Sequence, residues 1–186
     1  MRTNSKQAFQ TLDLAYMAMG AVLIAVCSWI SIPSSVPFTL QTFAVFLVLS
    51  LLGGRRGTVS VLLYILLGAI GIPVFAGFSG GVGVLLGSTG GYILGFILMG
   101  LAYWLIIRLL GKRLWVEILA MLAGLFLCYA MGTAWFMRVY ARQNGAVTLA
   151  TVLAWCVIPF ILPDLLKLTL AILLSRRLAP ALRIKD

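Results

Sequence analysis

Histidine is absent from this chain of 186 residues, and only four residues are aspartate or glutamate. The lack of histidine excludes imidazole-bound zinc, a Ser-His hydrolase site and a histidine proton relay. The three cysteines, Cys27, Cys128 and Cys156, each lie within an apolar segment, which favours buried small side chains over a disulfide framework or a thiolate metal site. The sequence also has no Walker A motif, so we expect neither ATP hydrolysis by the chain itself nor a bound cofactor.

Charged residues are scarce as well, at 10% of the chain, whereas 63% of residues are hydrophobic and the mean hydropathy is +1.14. Uncharged runs cover residues 14–54, 57–107, 118–137 and 143–163, and each reaches the roughly 18 to 20 residues needed to cross a bilayer. These runs lack the alternation of a transmembrane β-barrel. The sequence therefore predicts an all-α polytopic membrane protein, with residues 1–186 forming a single transmembrane domain.

Six transmembrane spans fit these runs best, at about 12–32, 39–53, 57–71, 89–107, 114–137 and 149–174. The net charge of +10 falls almost entirely between the spans, which indicates orientation in a lipid bilayer and not a nucleic-acid partner. With the amino terminus inside, only Arg138 and Arg142 lie outside. The inside set is Arg2, Lys6, Arg55, Arg56, Arg108, Lys112, Arg113, Arg176, Arg177, Arg183 and Lys185. We therefore expect both termini in the cytoplasm.

A glycine-rich stretch, residues 68–96, holds ten of the nineteen glycines and no charge. It is apolar enough for membrane depth, but its glycines and Pro73 do not favour a continuous helix. Irregular backbone at that depth is tolerated where it is buried in protein or lines a cavity. We interpret the stretch as the wall of a binding site; the alternative is a glycine-rich surface turn between two helices.

An acid and a base three residues apart, Asp164 and Lys167, lie on one face of the last span. Lys167 precedes Arg176 by nine residues, about 13 Å of helix, which places it near the middle of the membrane. Charges at this depth usually mark a ligand pathway or pair with one another. The alternative is an ion pair that only staples helices together. We expect Pro163 to open a helix there, leaving free amides at Asp164 and beyond.

Other candidate site residues flank the glycine-rich stretch: Thr39, Gln41 and Thr42 before it, and Thr89, Gly90, Gly91 and Tyr92 near its end. The first group supplies donors and acceptors at the outer end of the second span, although Thr39 and Gln41 could serve only as helix caps. In the second group the glycines allow close backbone approach, and the tyrosine adds a flat ring with a hydroxyl. Together they suggest a compact site for a small molecule with a polar head.

Small residues recur at helical spacing in the first span, at Ala18, Ala21 and Ala25. Ala21 and Ala25, four residues apart, form the kind of small-residue pair that lets another helix approach closely. We predict a partner-docking face here, with packing inside the chain as the alternative.

Four segments carry a resemblance to a known family: residues 38–42 (FTLQT), 68–77 (GAIGIPVFAG), 87–92 (GSTGGY) and 163–167 (PDLLK). They resemble successive motifs of the BioY family, the biotin-binding S components of energy-coupling factor transporters, and the likeness extends over residues 15–174. The family pattern has proline where this chain has Ser88, whereas the Thr-Gly-Gly-Tyr that follows matches.

The resemblance implies a six-helix protein of the bacterial cytoplasmic membrane that captures biotin from outside. It also implies two kinds of partner: a separate transmembrane T component and two cytoplasmic ATPase subunits. In such a site Asp164 would accept hydrogen bonds from the ureido nitrogens of biotin, and Lys167 would donate to the ureido oxygen or pair with the carboxylate tail. Phe75 and Tyr92 would cover the rings.

Other function classes stay open at this point. One alternative is an S component that binds another small vitamin, and another is a stand-alone facilitator. An intramembrane enzyme would need a nucleophile and a base, and one interior acid with one interior lysine and no histidine does not favour such a site. A passive channel would need charged rings or a carbonyl filter, and the sequence has no filter-like repeat.

Overall fold

The computed structural model describes residues 11–32 and 36–180. The helices are α1 (Thr11–Trp29), α2 (Gln41–Ala69), α3 (Val82–Leu86), α4 (Gly90–Leu110), α5 (Leu114–Asn144), α6 (Leu149–Cys156) and α7 (Ile158–Leu178). Two short antiparallel strands, β1 (Ser31–Ile32) and β2 (Phe38–Thr39), join α1 to α2, and a 3-10 turn covers Ala76–Phe78. The fold is helical, as the sequence predicts. Four basic residues used to predict the orientation, Arg2, Lys6, Arg183 and Lys185, lie outside the described residues.

Five helices in the described part of the chain are long and apolar enough to cross a membrane, namely α1, α2, α4, α5 and α7. The second of these reverses direction at Gly53, whose φ of 77° and ψ of 170° are not helical. The side-chain amide of Gln41 donates to the Tyr64 hydroxyl at 2.6 Å. A straight helix would separate these residues by about 35 Å, so the two halves of α2 lie side by side as a hairpin.

Two helix boundaries differ from those predicted. Helix α5 continues to Asn144, so Arg138 and Arg142 lie on the helix and not in a loop after residue 137. The predicted span 149–174 is divided between α6 and α7, which meet at Val157. The sequence predicted that a helix opens at Pro163, but α7 begins at Ile158 and has Pro159 in its first turn. Pro163 therefore lies inside α7, and the expectation that it opens the helix and frees the amide of Asp164 is wrong.

Helix α2 is the centre of the bundle, because it packs against α1, α4 and α7, while α5 packs along α4. On α1 the buried face includes Met17, Gly20, Ala21, Ile24 and Ala25. Ala21 is 2% exposed and Ala25 is 6% exposed, both within the main apolar core. These two small residues let α2 approach, which favours the stated alternative for them, packing inside the chain. Ala18 lies at the edge of this buried face and is exposed.

A buried carboxylate that the sequence analysis did not single out lies at the far end of the bundle. Glu117 of α5 is 4% exposed, and its Oε1 accepts from the Ser50 hydroxyl at 2.5 Å and from the Tyr103 hydroxyl at 3.1 Å. The Ser50 hydroxyl also lies 2.6 Å from Ser175 Oγ. This cluster connects α2, α4, α5 and α7 with hydroxyl groups, which stabilise a carboxylate that would be costly to bury alone.

Candidate functional site

One cavity, of about 230 Å³, opens between the start of α2, the irregular connection before α4, and helices α4, α5, α6 and α7. Most of the predicted site residues line it: Thr39, Gln41, Thr42, Phe75, Thr89, Tyr92, Asp164 and Lys167. The wall is mainly apolar with a few polar groups, which is typical of sites for small molecules.

The polar end of the cavity is built around Asp164, which is 2% exposed. Its Oδ1 accepts from Lys167 Nζ at 2.8 Å and from the Thr42 hydroxyl at 2.9 Å. Its Oδ2 accepts from the Tyr129 hydroxyl at 2.6 Å. Lys167 Nζ also donates to Thr42 Oγ1 at 3.1 Å and lies 5.0 Å from the centre of the Phe38 ring. Side chains from α2, α5 and α7 therefore converge on one ion pair.

The ion pair leaves the cavity without net charge. Lys167 and Asp164 are the only charged residues among those described as lining it, and they lie in contact with each other. A carboxylate and an ammonium group side by side offer both an acceptor and a donor to a ligand. Such a pair suits a polar group that carries adjacent N–H and C=O groups and no charge of its own.

A second group of side chains links Gln41 to the aromatic wall of the cavity. The Tyr64 hydroxyl accepts from Gln41, and the Tyr64 ring meets Phe75 edge to face at 5.5 Å between ring centres. Phe75 is fully buried and lines the cavity. Gly68 is required here, because a Cβ at this position would overlap the Phe75 ring. The glycine at the end of α2 thus makes the space that the aromatic wall of the cavity occupies.

Two predicted site residues, Gly90 and Gly91, do not line the cavity. A Cβ on Gly90 would overlap the carbonyl oxygen of Leu85, and a Cβ on Gly91 would overlap the side chain of Trp135. These glycines therefore allow close approach to other parts of the protein, Leu85 and Trp135. Thr89 stands at the N-cap position of α4 but makes no side-chain capping hydrogen bond, and its side chain lines the cavity.

Several cavity residues were not predicted from the sequence, among them Tyr129, Phe160, Cys128 and Cys156. Phe160 stacks on Phe38 at 4.8 Å between ring centres. The position of Tyr129 in the middle of an apolar span could have indicated a polar contact, since a buried tyrosine hydroxyl usually finds a hydrogen-bond partner. The two cysteines are buried, as predicted, but nothing in their spacing indicated that they would line a cavity.

The fold and the cavity together are those of a helical membrane protein with a largely apolar cavity between its helices. The BioY family model matches residues 1–184, and the chain belongs to this family. This confirms the family predicted from the motifs. The protein is accordingly a multi-pass protein of the cytoplasmic membrane.

Named relatives are similar over most of their length. A protein of Thermotoga maritima named biotin transporter BioY is 43% identical over 158 residues, which cover 84% of this chain and 89% of the relative. A probable biotin transporter BioY of Pyrococcus horikoshii is 40% identical over 167 residues, or 89% of this chain and 95% of the relative. A crystal structure described as the S-component for biotin from an ECF-type ABC transporter matches with a TM-score of 0.79 and 26% identity, covering 93% of this chain and 95% of that one.

Substitution of Gly68 tests whether the aromatic wall depends on the space that this glycine leaves. We expect Gly68→Ala to displace the Phe75 ring and to lower the melting temperature of the detergent-purified protein, because overpacking a buried site costs about 1 to 3 kcal/mol. The matched control is Gly83→Ala in α3, where an added Cβ would meet no atom within 4 Å. Equal melting temperatures for the two variants would contradict this account of Gly68.

Proposed function

We propose that the protein binds biotin with high affinity and takes it up across the cytoplasmic membrane as the substrate-specific component of an energy-coupling factor transporter. The observation that carries the proposal is the neutral Asp164–Lys167 pair at the end of an otherwise largely apolar cavity. The relatives named biotin transporter, and the similar crystal structure of an S-component for biotin, support the choice of ligand.

The chemistry of biotin matches that of the cavity. Its ureido group offers two N–H donors and one carbonyl acceptor and has no net charge, so it complements a paired carboxylate and ammonium group. Asp164 accepts from the ureido nitrogens and Lys167 donates to the ureido oxygen. The apolar thiophane ring then packs against Phe75 and Tyr92. The remaining proposed ligand residues on the cavity wall are Thr39, Gln41, Thr42 and Thr89.

Lys167 is better placed for the ureido oxygen than for the carboxylate tail of biotin. Its ammonium group is held at 2.8 Å by Asp164 and at 3.1 Å by Thr42, at the buried end of the site. A carboxylate brought there would compete with Asp164 for the same cation and would itself have to be desolvated. The head group therefore enters first, and the tail stays toward the outer opening.

We further propose six membrane passes with both termini in the cytoplasm. The hairpin of α2 supplies two of the passes, since its halves lie side by side on either side of Gly53. Basic residues of the described part then cluster at one side: Arg55 and Arg56 at the hairpin turn, and Lys112 and Arg113 between α4 and α5. The positive-inside rule assigns that side to the cytoplasm.

Cysteine labelling tests this orientation. In a background without Cys27, Cys128 and Cys156, single cysteines replace Gln143 at one end of α5 and Lys112 just before the other end, both exposed positions. An impermeant maleimide is expected to label the first on intact cells and the second only after permeabilisation, which also serves as the control. Labelling of the Lys112→Cys protein on intact cells would contradict the proposed orientation.

The energy for uptake comes, in this proposal, from a transmembrane T component and two ATPase subunits. The chain has no Walker A motif of its own, and the similar crystal structure is described as coming from an ECF-type ABC transporter. The exposed face of α1, with Ala18 between Leu14 and Val22, is a surface on which a partner helix would fit.

The Ala18→Trp variant tests docking on that face. We expect it to abolish biotin uptake in cells that carry the partner module, while biotin binding to the purified chain is unchanged, because the bulky ring obstructs only an external helix. The control is Leu170→Trp on the exposed face of α7, where the side chain is 57% exposed. If Ala18→Trp transports biotin as well as the control does, docking on this face of α1 is refuted.

A double-variant design distinguishes ligand binding by Asp164 and Lys167 from a purely structural role of the ion pair. Each single change, Asp164→Asn or Lys167→Met, leaves the other charge buried without its partner and is expected to lower the melting temperature. The double variant removes both charges and should recover stability. If the pair binds the ligand, however, the double variant still binds biotin at least about tenfold more weakly, a loss of about 1.4 kcal/mol.

The matched control for this design is Thr169→Val on α7, which removes a hydroxyl that bonds to the backbone at Leu165 outside the cavity. Its biotin affinity should equal that of the unaltered protein. A stable double variant with unchanged biotin affinity would contradict ligand binding by the ion pair and leave it a purely structural role.

A further inference from the structure

The connection between α2 and α4, residues 70–89, forms the cover of the cavity. Phe75, Ala76, Ser79 and Val84 of this connection line the cavity wall. Within it, Phe75 N donates to Ser79 O at 2.9 Å, and Gly81 N donates to Gly68 O at the end of α2 at 2.7 Å. The position of this cover relative to the bundle therefore depends on what holds its two ends.

The first end of the cover is held by the last turn of α1. The indole N–H of Trp29 donates to the carbonyl oxygen of Pro73 at 2.9 Å, and the Trp29 ring stacks on Phe78 with 5.1 Å between ring centres. The neighbouring Ser28 hydroxyl donates to the carbonyl oxygen of Val74. A stacked ring and two hydrogen bonds thus attach this end of the cover to α1.

The second end is held from α5, also by an indole N–H. The indole N–H of Trp135 donates to the carbonyl oxygen of Gly87 at 2.9 Å. Trp135 reaches this position because Gly91 has no side chain, since a Cβ there would overlap Trp135. The second glycine of the Thr-Gly-Gly-Tyr segment therefore has a structural reason that does not involve the ligand directly.

Neither tryptophan lines the cavity, so neither contacts the ligand from the wall. Tryptophans of an aromatic belt are expected to direct their indole N–H groups to the headgroup region. Here both N–H groups are directed to carbonyl oxygens of the same connection, at its two ends. This shared target distinguishes them from Trp155, which is 47% exposed and meets the Tyr140 ring edge to face.

We propose that Trp29 and Trp135 are positioning residues that fasten the two ends of the cover, and that these attachments slow the release of the bound ligand. The proposal rests on the proposed function for the identity of the ligand, biotin. Opening the cover breaks the two indole hydrogen bonds before the ligand leaves, so the bonds contribute to the barrier to dissociation more than to association.

The test compares Trp29→Phe and Trp135→Phe with Trp155→Phe as the control. Phenylalanine keeps a ring at each position and removes only the indole N–H and part of the area. In each detergent-purified protein, hydrogen–deuterium exchange of residues 70–89 is measured without ligand, and dissociation of labelled biotin is measured by a chase with excess unlabelled biotin. Global melting temperature is recorded for all four proteins.

We expect both cover variants to exchange faster in residues 70–89 than the unaltered protein, with unchanged exchange in α4 and α5. We also expect biotin to dissociate about threefold to tenfold faster, with association almost unchanged, since one net hydrogen bond is lost in each. The Trp155→Phe protein should match the unaltered protein in both measurements.

Two results would overturn the proposal. The first is unchanged exchange in the cover together with an unchanged dissociation rate. The second is faster exchange throughout the helices with a matching fall in melting temperature, which indicates general destabilisation. The proposed function is tested separately by biotin binding to the unaltered protein. If that protein binds no biotin while the cover variants still exchange faster in residues 70–89, the assignment of biotin is wrong, whereas the attachment of the cover by Trp29 and Trp135 is supported.

Discussion

The burial of one ion pair at membrane depth is the constraint on which the rest of this structure depends. An isolated charge there costs at least about 2.5 to 3.5 kcal/mol on insertion scales, so Asp164 and Lys167 are tolerated only in contact with each other and with further hydrogen-bond partners. Thr42 and Tyr129 supply those partners. The pair thereby requires α2, α5 and α7 to converge, and the cavity lies where they do.

The cover of the cavity meets a second constraint, which is that backbone N–H and C=O groups removed from water need hydrogen-bond partners. Residues 70–89 meet this need with hydrogen bonds inside the connection and with indole donors from α1 and α5. Glycines allow this arrangement at the positions where aromatic side chains come closest, Gly68 beneath Phe75 and Gly91 beside Trp135. Apolar rings and backbone thus close the site without adding charge.

The sequence predicted the features that depend on local chemistry. The spacing of Asp164 and Lys167 and the glycine-rich stretch identified most of the cavity wall, because charges and helix-breaking residues are unusual in a membrane span. The sequence did not predict the direction in which a residue faces or the partner it meets. Ala21 and Ala25 have the spacing of an external docking face but pack inside. Tyr129 joins the ion pair from 35 residues away, a separation over which no periodic pattern carries information.

The central claim, that a neutral ion pair in this cavity recognises the ureido group of biotin, is tested most directly by competition at equilibrium. Labelled biotin is bound to the purified chain and displaced with unlabelled biotin, with desthiobiotin, which keeps the ureido ring but lacks the sulfur, or with lipoate, which has an apolar ring and a carboxylate tail but no ureido group. The account predicts saturable binding that biotin and desthiobiotin displace and lipoate does not. Displacement by lipoate as effective as that by desthiobiotin, or the absence of saturable binding, would contradict it.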